Sequence, residues 1–318
     1  MTTTVRGLHV PLVTPFDEGG AVDLAALERL AEEVLDAGAD GLVALATTAE
    51  ASSLDDRERD GIVAVCAAVA ADRGAALIVG AGTNDTRTTI ARHEALGTVA
   101  GVTASLAVVP YYVRPTEAAI VAHFQTVAAR SPVPLVLYNI PYRTGRGLGA
   151  QALLELAGSA GIVGVKQAVG AVDVDTLQLL AQAPADFVVL CGDDAFLLAL
   201  LLMGAGGAIA ASAHLCTERF AALVAAARGG RIDEAREHSE ALLPLVMALF
   251  AEPSPAVLKA LLHDAGRIPT PAVRMPLQAA SPAAAQRARR SAPARWSAPA
   301  PARARRSPAA SSPRGRAA

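Results

Sequence analysis

Gly161-Ile162-Val163-Gly164-Val165-Lys166-Gln167-Ala168 is a short β-branched run between glycines, the pattern of a buried strand, and it closes on a lysine. Of the chain's 28 basic residues only Lys166 and Lys259 are lysines; all the others are arginine. Arginine stays protonated, whereas a desolvated lysine can lose its proton and attack a carbonyl. Two readings of the segment stand at this point: an ion-paired lysine at a strand end, or a nucleophilic amine in a site.

The strand-then-helix unit recurs on both sides of this run. Strand-like stretches fall at 8–14, 41–46, 76–82, 102–109, 135–140, 162–166, 187–191 and 207–210. Between them lie stretches of helical period, such as Leu24, Leu27, Leu30, Ala31, Val34 and Leu35 between a capping Asp23 and a stop at Gly38. Ile62, Val63, Val65, Cys66 and Val69 after Asp55 and Asp56, and Ile120, Val121, Phe124 and Val127 after Pro115, repeat the pattern. Eight such units over about 220 residues predict an α/β fold closed into a parallel (β/α)₈ barrel rather than an open sheet. Beyond residue 215 the pattern is purely helical, with candidates at 218–228, 232–250 and 255–265. Residues 1–215 thus read as the barrel and 216–278 as a C-terminal helical cap. Residues 279–318 are almost all Ala, Pro, Arg and Ser, with too little apolar surface to offset their ordering entropy, and read as a disordered basic tail.

The chain has 318 residues, 53% hydrophobic and 18% charged, enough for a large core. Its net charge of −2 conceals an asymmetry, because 281–318 holds nine arginines and no acid, leaving 19 basic against 30 acidic residues before it. An acidic body argues against nucleic acid as a partner of the barrel. No apolar run reaches the roughly 18 residues of a membrane span, and the N-terminus lacks a signal peptide's apolar core, so a cytoplasmic protein without a membrane partner is expected. Cys66, Cys191 and Cys216 are far apart, and the six histidines form no ligand pair, so no metal is expected. Gly80 and Gly82 are followed by Asp85 rather than a third glycine, and nothing calls for a cofactor.

In a parallel barrel the strand C-termini converge on one mouth. Four of them carry conspicuous polar groups: Thr47-Thr48-Ala49-Glu50, Pro110-Tyr111-Tyr112, Tyr138-Asn139-Ile140-Pro141-Tyr142-Arg143-Thr144-Gly145, and Lys166. All four tyrosines of the chain follow just two strands. Together these residues make a site with a chemical logic. Lys166 attacks a keto carbon to form a Schiff base, Tyr138 shuttles protons one strand away, Thr47 and Thr48 receive a carboxylate, and Arg143 holds a second one bidentately. Read singly, either threonine could be a helix cap and Arg143 a surface charge.

Thr47-Thr48-x-Glu50, Pro110-Tyr111-Tyr112-x-Arg114-Pro115, Tyr138-Asn139-Ile140-Pro141-x-Arg143-Thr144-Gly145, Gly164-Val165-Lys166 and Gly192-Asp193-Asp194 resemble the dihydrodipicolinate synthase/N-acetylneuraminate lyase family. The resemblance runs over about residues 5–278, through Glu252-Pro253-Ser254-Pro255 and Arg274-Met275-Pro276-Leu277. It implies a TIM barrel and a class I aldolase that condenses or cleaves pyruvate adducts through a lysine Schiff base, usually as a homotetramer built as a dimer of dimers. By matching positions, Lys166 would form the imine and Tyr138 would transfer protons. Thr47 would join Tyr138 in a hydroxyl relay with Tyr112, the latter inserted from a neighbouring subunit. Thr48 would bind the pyruvate carboxylate, the Ile209 carbonyl would line the pyruvate pocket, and Arg143 would take the carboxylate of the aldehyde partner.

An arginine at position 143 resembles the synthase branch, which implies condensation of pyruvate with aspartate semialdehyde to 4-hydroxy-tetrahydrodipicolinate in lysine biosynthesis. Three departures from the family pattern bear on this. Ala46 and Ala49 replace glycines in the carboxylate-binding loop, where glycine permits conformations that alanine resists. Gln167 replaces a glutamate beside the lysine. Two alternatives therefore stay open: a pyruvate aldolase acting on a keto-deoxy sugar acid, and a non-catalytic paralogue that binds keto acids.

Overall fold

The computed structural model describes residues 5–292. Eight parallel strands, β1 (Gly7–Pro11), β2 (Gly41–Ala44), β3 (Ala76–Gly80), β4 (Ala104–Val108), β5 (Leu135–Asn139), β6 (Ile162–Gln167), β7 (Val188–Cys191) and β8 (Gly207–Ile209), pair in chain order. β8 returns to β1 and closes the expected (β/α)₈ TIM barrel. At this seam a Cβ on Gly207 would lie 2.0 Å from the Gly7 carbonyl oxygen, so only glycine lets the two backbones meet.

Helices α1 (Leu24–Asp36), α2 (Asp56–Arg73), α3 (Thr86–Leu96) and α4 (Glu117–Ala128) follow the first four strands. A short α5 (Pro141–Thr144) and then α6 (Ala150–Ala157) follow β5, and α7 (Val174–Gln182), α8 (Leu197–Leu202) and α9 (Thr217–Arg228) complete the ring. The eighth barrel helix thus lies past residue 215, where the pattern had placed the end of the barrel. Side-chain caps start these helices sharply. Asp23 accepts from the Ala26 N–H at 2.9 Å, and Asp55 and Glu58 exchange bonds with each other's backbone N–H groups as a capping box.

Strand alternation sorts the side chains into two layers. Val43, Ile78, Leu106, Val136, Tyr138, Leu190 and Ile209 meet inside the barrel, whereas Leu135, Leu137 and Val165 pack outward among α4 and α6 residues such as Phe124 and Leu153. In the β5–β6 register Tyr138 pairs with Lys166 and Asn139 with Gln167. The first pair faces the interior and the second faces the helices.

Past the ring, α10 (Ile232–Leu249), α11 (Ala256–Asp264) and α12 (Pro282–Ser291) form the C-terminal extension. The tail expected to be disordered from residue 279 is ordered over its first part: Ser281 caps α12 by accepting from the Ala284 N–H at 3.1 Å, and Ala284, Ala285 and Ala288 are buried. Alanine is the strongest helix former and its small side chain lets a helix lie close on its neighbours, so docking here needs none of the large apolar residues whose scarcity suggested disorder. Glu252 accepts from the Ser281 N–H at 2.9 Å, and Arg289 pairs with Asp264 at 2.6 Å. The remainder of the expected tail, 293–318, lies outside the described residues. Among those described, no helix is long and apolar enough to cross a membrane.

Buried His214 joins the mouth of β8 to the segment after β1. Its Nδ1–H donates to the Ala211 carbonyl at 2.8 Å, and its Nε2 accepts from the Val13 N–H at 3.1 Å. Burial depresses its pKa from 6.5 to about 3, because a proton on Nε2 would break the Val13 bond and bury a charge near Arg267. The unfolded chain takes up this proton below about pH 6.5 and the folded chain refuses it until about pH 3, so stability falls as pH drops through that window. His9, His93 and His123 are depressed by burial in the same direction. Unfolding midpoints taken at pH 7.5 and pH 5 should therefore fall on acidification, with the His214 contribution growing toward about 1.4 kcal/mol per pH unit only once the pH is below its unfolded value. His214→Asn should flatten that slope.

Candidate active site

Lys166 and Tyr138 stand side by side on neighbouring strands at the carboxyl end of the barrel, each 5% exposed. The Lys166 Nζ lies 4.4 Å from the centroid of the Tyr138 ring. Gly192, just past β7, leaves the space the lysine occupies, since a Cβ there would come within 2.9 Å of Lys166 Cγ and Cε. The amine opens onto a cavity of about 840 Å³ that Thr47, Thr48, Tyr138, Arg143 and Ile209 also line. Five of the expected site residues thus join Lys166 around one space.

Each arrives by a different local device. After β2 the chain kinks at Leu45 (φ 55) into a one-turn helix, Thr47–Ala49, ending at Glu50 (φ 55), and this turn presents Thr48 buried and Thr47 exposed. Arg143 rides on α5 with its Nε–H donating to the Tyr142 hydroxyl at 3.1 Å. That loop is pinned from below, because the Asn139 side chain donates to the Leu148 carbonyl at 3.0 Å and accepts from the Leu148 N–H at 3.1 Å. Thr47, Tyr138 and Arg143 also border a second cavity of about 560 Å³, toward Arg59, Asn84 and Tyr111.

Tyr112 is the exception. It is 88% exposed and is absent from the lining of both cavities, so within one chain it does not reach Lys166. Its φ of 70 places it in a left-handed bend that carries Tyr112 and Val113 outward.

The backbone accommodates two of the three departures from the family pattern, and the third faces away from the amine. Ala46 and Ala49 are not at positive φ, which falls instead on Leu45 and Glu50. The Ala46 methyl packs with Val43, Ile78 and Tyr138, so no glycine-only conformation is being resisted. Gln167 points away from the amine and is fully used, accepting from Asn139 at 3.1 Å and donating to the Thr176 hydroxyl at 3.0 Å.

Two carboxylates given no role by the sequence reading complete the cavity wall, Asp193 and Asp194. Burial pushes both above the ordinary carboxylate range, and the nearby Lys166 opposes that rise. Asp194 accepts from the Ser212 N–H at 2.7 Å through Oδ2, while its Oδ1 and the Ser212 hydroxyl have no hydrogen-bond partner among the described residues. The sequence signal for them was their place directly after a strand end.

A family model of the dihydrodipicolinate synthetase family matches residues 4–293. The chain belongs to that family. It is 40% identical over 273 residues to the 4-hydroxy-tetrahydrodipicolinate synthase of Moorella thermoacetica, covering 85% of this chain and 91% of the relative. Among solved structures, the chloride-inhibited dihydrodipicolinate synthase of Acinetobacter baumannii complexed with pyruvate superposes with a TM-score of 0.87 at 33% identity, covering 91% of this chain and 98% of that one. A monomeric dihydrodipicolinate synthase variant superposes with a TM-score of 0.86 at 31% identity, covering 90% of this chain and 95% of the other.

Proposed function

We propose that this chain is a class I, Schiff-base lyase that condenses pyruvate with aspartate semialdehyde to 4-hydroxy-tetrahydrodipicolinate in lysine biosynthesis, in the cytoplasm. The observation that carries the reading is the buried Lys166 amine beside the Tyr138 ring, at one cavity shared with two threonines and Arg143. The amine adds to the keto carbon of pyruvate, water leaves, and an imine remains. Loss of a proton from the methyl carbon gives an enamine, whose carbon attacks the aldehyde and regenerates the imine; the amino group carried by the aspartate semialdehyde then adds to the imine carbon and displaces the Lys166 amine, closing the ring of the product. Tyr138, with Thr47, moves the protons that addition and dehydration require. Thr48 holds the pyruvate carboxylate beside the Ile209 carbonyl, and Arg143 holds the carboxylate of the second substrate.

Tyr112 serves a neighbouring copy in this reading, completing its hydroxyl relay within a homotetramer. The support is its exposure in a bend beside the exposed Val113. A second reading draws on the cavity's reach to Met247, Phe250 and Glu252 at the end of α10, which gives room for a longer keto-deoxy sugar acid. Borohydride reduction in the presence of pyruvate should leave a mass adduct on Lys166, and product should form in a coupled assay with aspartate semialdehyde. An adduct without that product, together with pyruvate release from a sugar acid, would select the second reading. Saturable binding with no adduct would mark a keto-acid sensor.

A further inference from the structure

The second lysine touches neither cavity. Lys259, wholly buried in α11, donates to the Thr14 carbonyl at 2.9 Å and to Glu50 Oε1 at 2.9 Å, and its ammonium sits 4.1 Å from the Phe16 ring centroid. The other Glu50 oxygen accepts from the Arg274 N–H at 2.7 Å, and the Thr14 hydroxyl donates to the Ala49 carbonyl at 2.7 Å. Glu50 is the left-handed residue that ends the turn bearing Thr47 and Thr48. The C-terminal end of that turn is therefore tied to the segment after β1, to α11 and to the chain at Arg274.

A fully buried ion pair is a poor source of stability, because apolar residues of similar volume commonly do as well or better. What it supplies is a defined orientation, and here the oriented element is one wall of the cavity that holds Lys166. A non-glycine residue in the left-handed region is also strained, and it persists only where its surroundings hold it. The opposite wall does not depend on this pair, since Arg143 is held through Asn139, Leu148 and the Thr144 hydroxyl, which donates to the Ile140 carbonyl at 3.0 Å.

We propose that Glu50 and Lys259 are positioning residues whose buried pair aims Thr48 at the carboxylate of the keto acid bound to Lys166. The inference rests on the imine-forming reading of Lys166 and adds a specific asymmetry to it: the pair governs the keto-acid end of the site and leaves the aldehyde end alone.

The full-length unaltered chain, Glu50→Gln, and the double variant Glu50→Gln with Lys259→Met should be titrated with pyruvate. Borohydride-trapped adduct on Lys166 is read by intact mass, alongside thermal midpoints and the dependence of rate on aspartate semialdehyde at saturating pyruvate. Glu50→Gln keeps the side chain's shape, and burial already lowers the Lys259 ammonium from the ordinary lysine value with Glu50 opposing, so the lysine left behind can shed its proton. The double variant leaves no buried charge unpaired. The pyruvate concentration for half-maximal trapping should rise about tenfold or more in both variants, since small misplacements of a binding group carry large kinetic costs. The double variant should recover the thermal midpoint without recovering pyruvate saturation, and the kcat/KM for the aldehyde should stay within about twofold of the unaltered chain in both. Pyruvate saturation that is unchanged, or that returns together with the thermal midpoint, would show a merely structural pair and overturn the proposal. Absence of any adduct in the unaltered chain would instead remove the imine reading, and this proposal with it.

Discussion

Lys166→Ala should lower turnover on the order of 10⁴-fold or more, because it deletes the nucleophile rather than weakening a contact. Lys166→Arg should do nearly the same. A guanidinium keeps a long nitrogen-bearing side chain beside Tyr138 but cannot form the imine. Both variants should stay folded, since the amine borders an open cavity and anchors no strand: the β6 ladder runs through backbone groups to β5 and β7. Steady-state rates, circular dichroism and borohydride trapping on the same preparations separate the outcomes. Turnover within tenfold of the unaltered chain, from a folded Lys166→Ala protein, is incompatible with the imine route.

Tyr138→Phe should cost roughly 10²- to 10⁴-fold in kcat, the usual worth of a placed proton-transfer group, with little change in stability. The ring remains to pack with Val136, Ile140 and Ala46, and only the hydroxyl is lost. The amine remains too, so pyruvate should still be trapped on Lys166 at saturation, though more slowly. This split between retained adduct and lost turnover distinguishes a proton carrier from a residue that only shapes the pocket. Equal loss of adduct and turnover would assign Tyr138 to shape.

The adjacency of Lys166 and Tyr138 was close to legible in the linear chain. Period-two strands of defined length in a closed parallel barrel put alternate residues inside, and both residues fall near strand ends. The same alternation assigns Gln167 to the outer face, so its apparent place beside the amine was an artefact of counting neighbours along the chain rather than across the sheet. The order of α12 escaped a reading based on composition, because what holds Ala284 and Ala288 is the surface offered by the preceding cap helices.

Local chemistry along the chain thus determined the number of strand-and-helix units, the caps that start the helices, and the residues that reach the barrel mouth. Each of these depends on contacts within a few residues or on a repeating period. The tertiary structure alone decided that Glu50 would meet Lys259, 209 positions away, that Tyr112 would face outward, and that Asp194 would be buried beside the amine's cavity. Periodicity says which side of an element a residue occupies. Which distant element it meets there depends on how the whole barrel closes and packs.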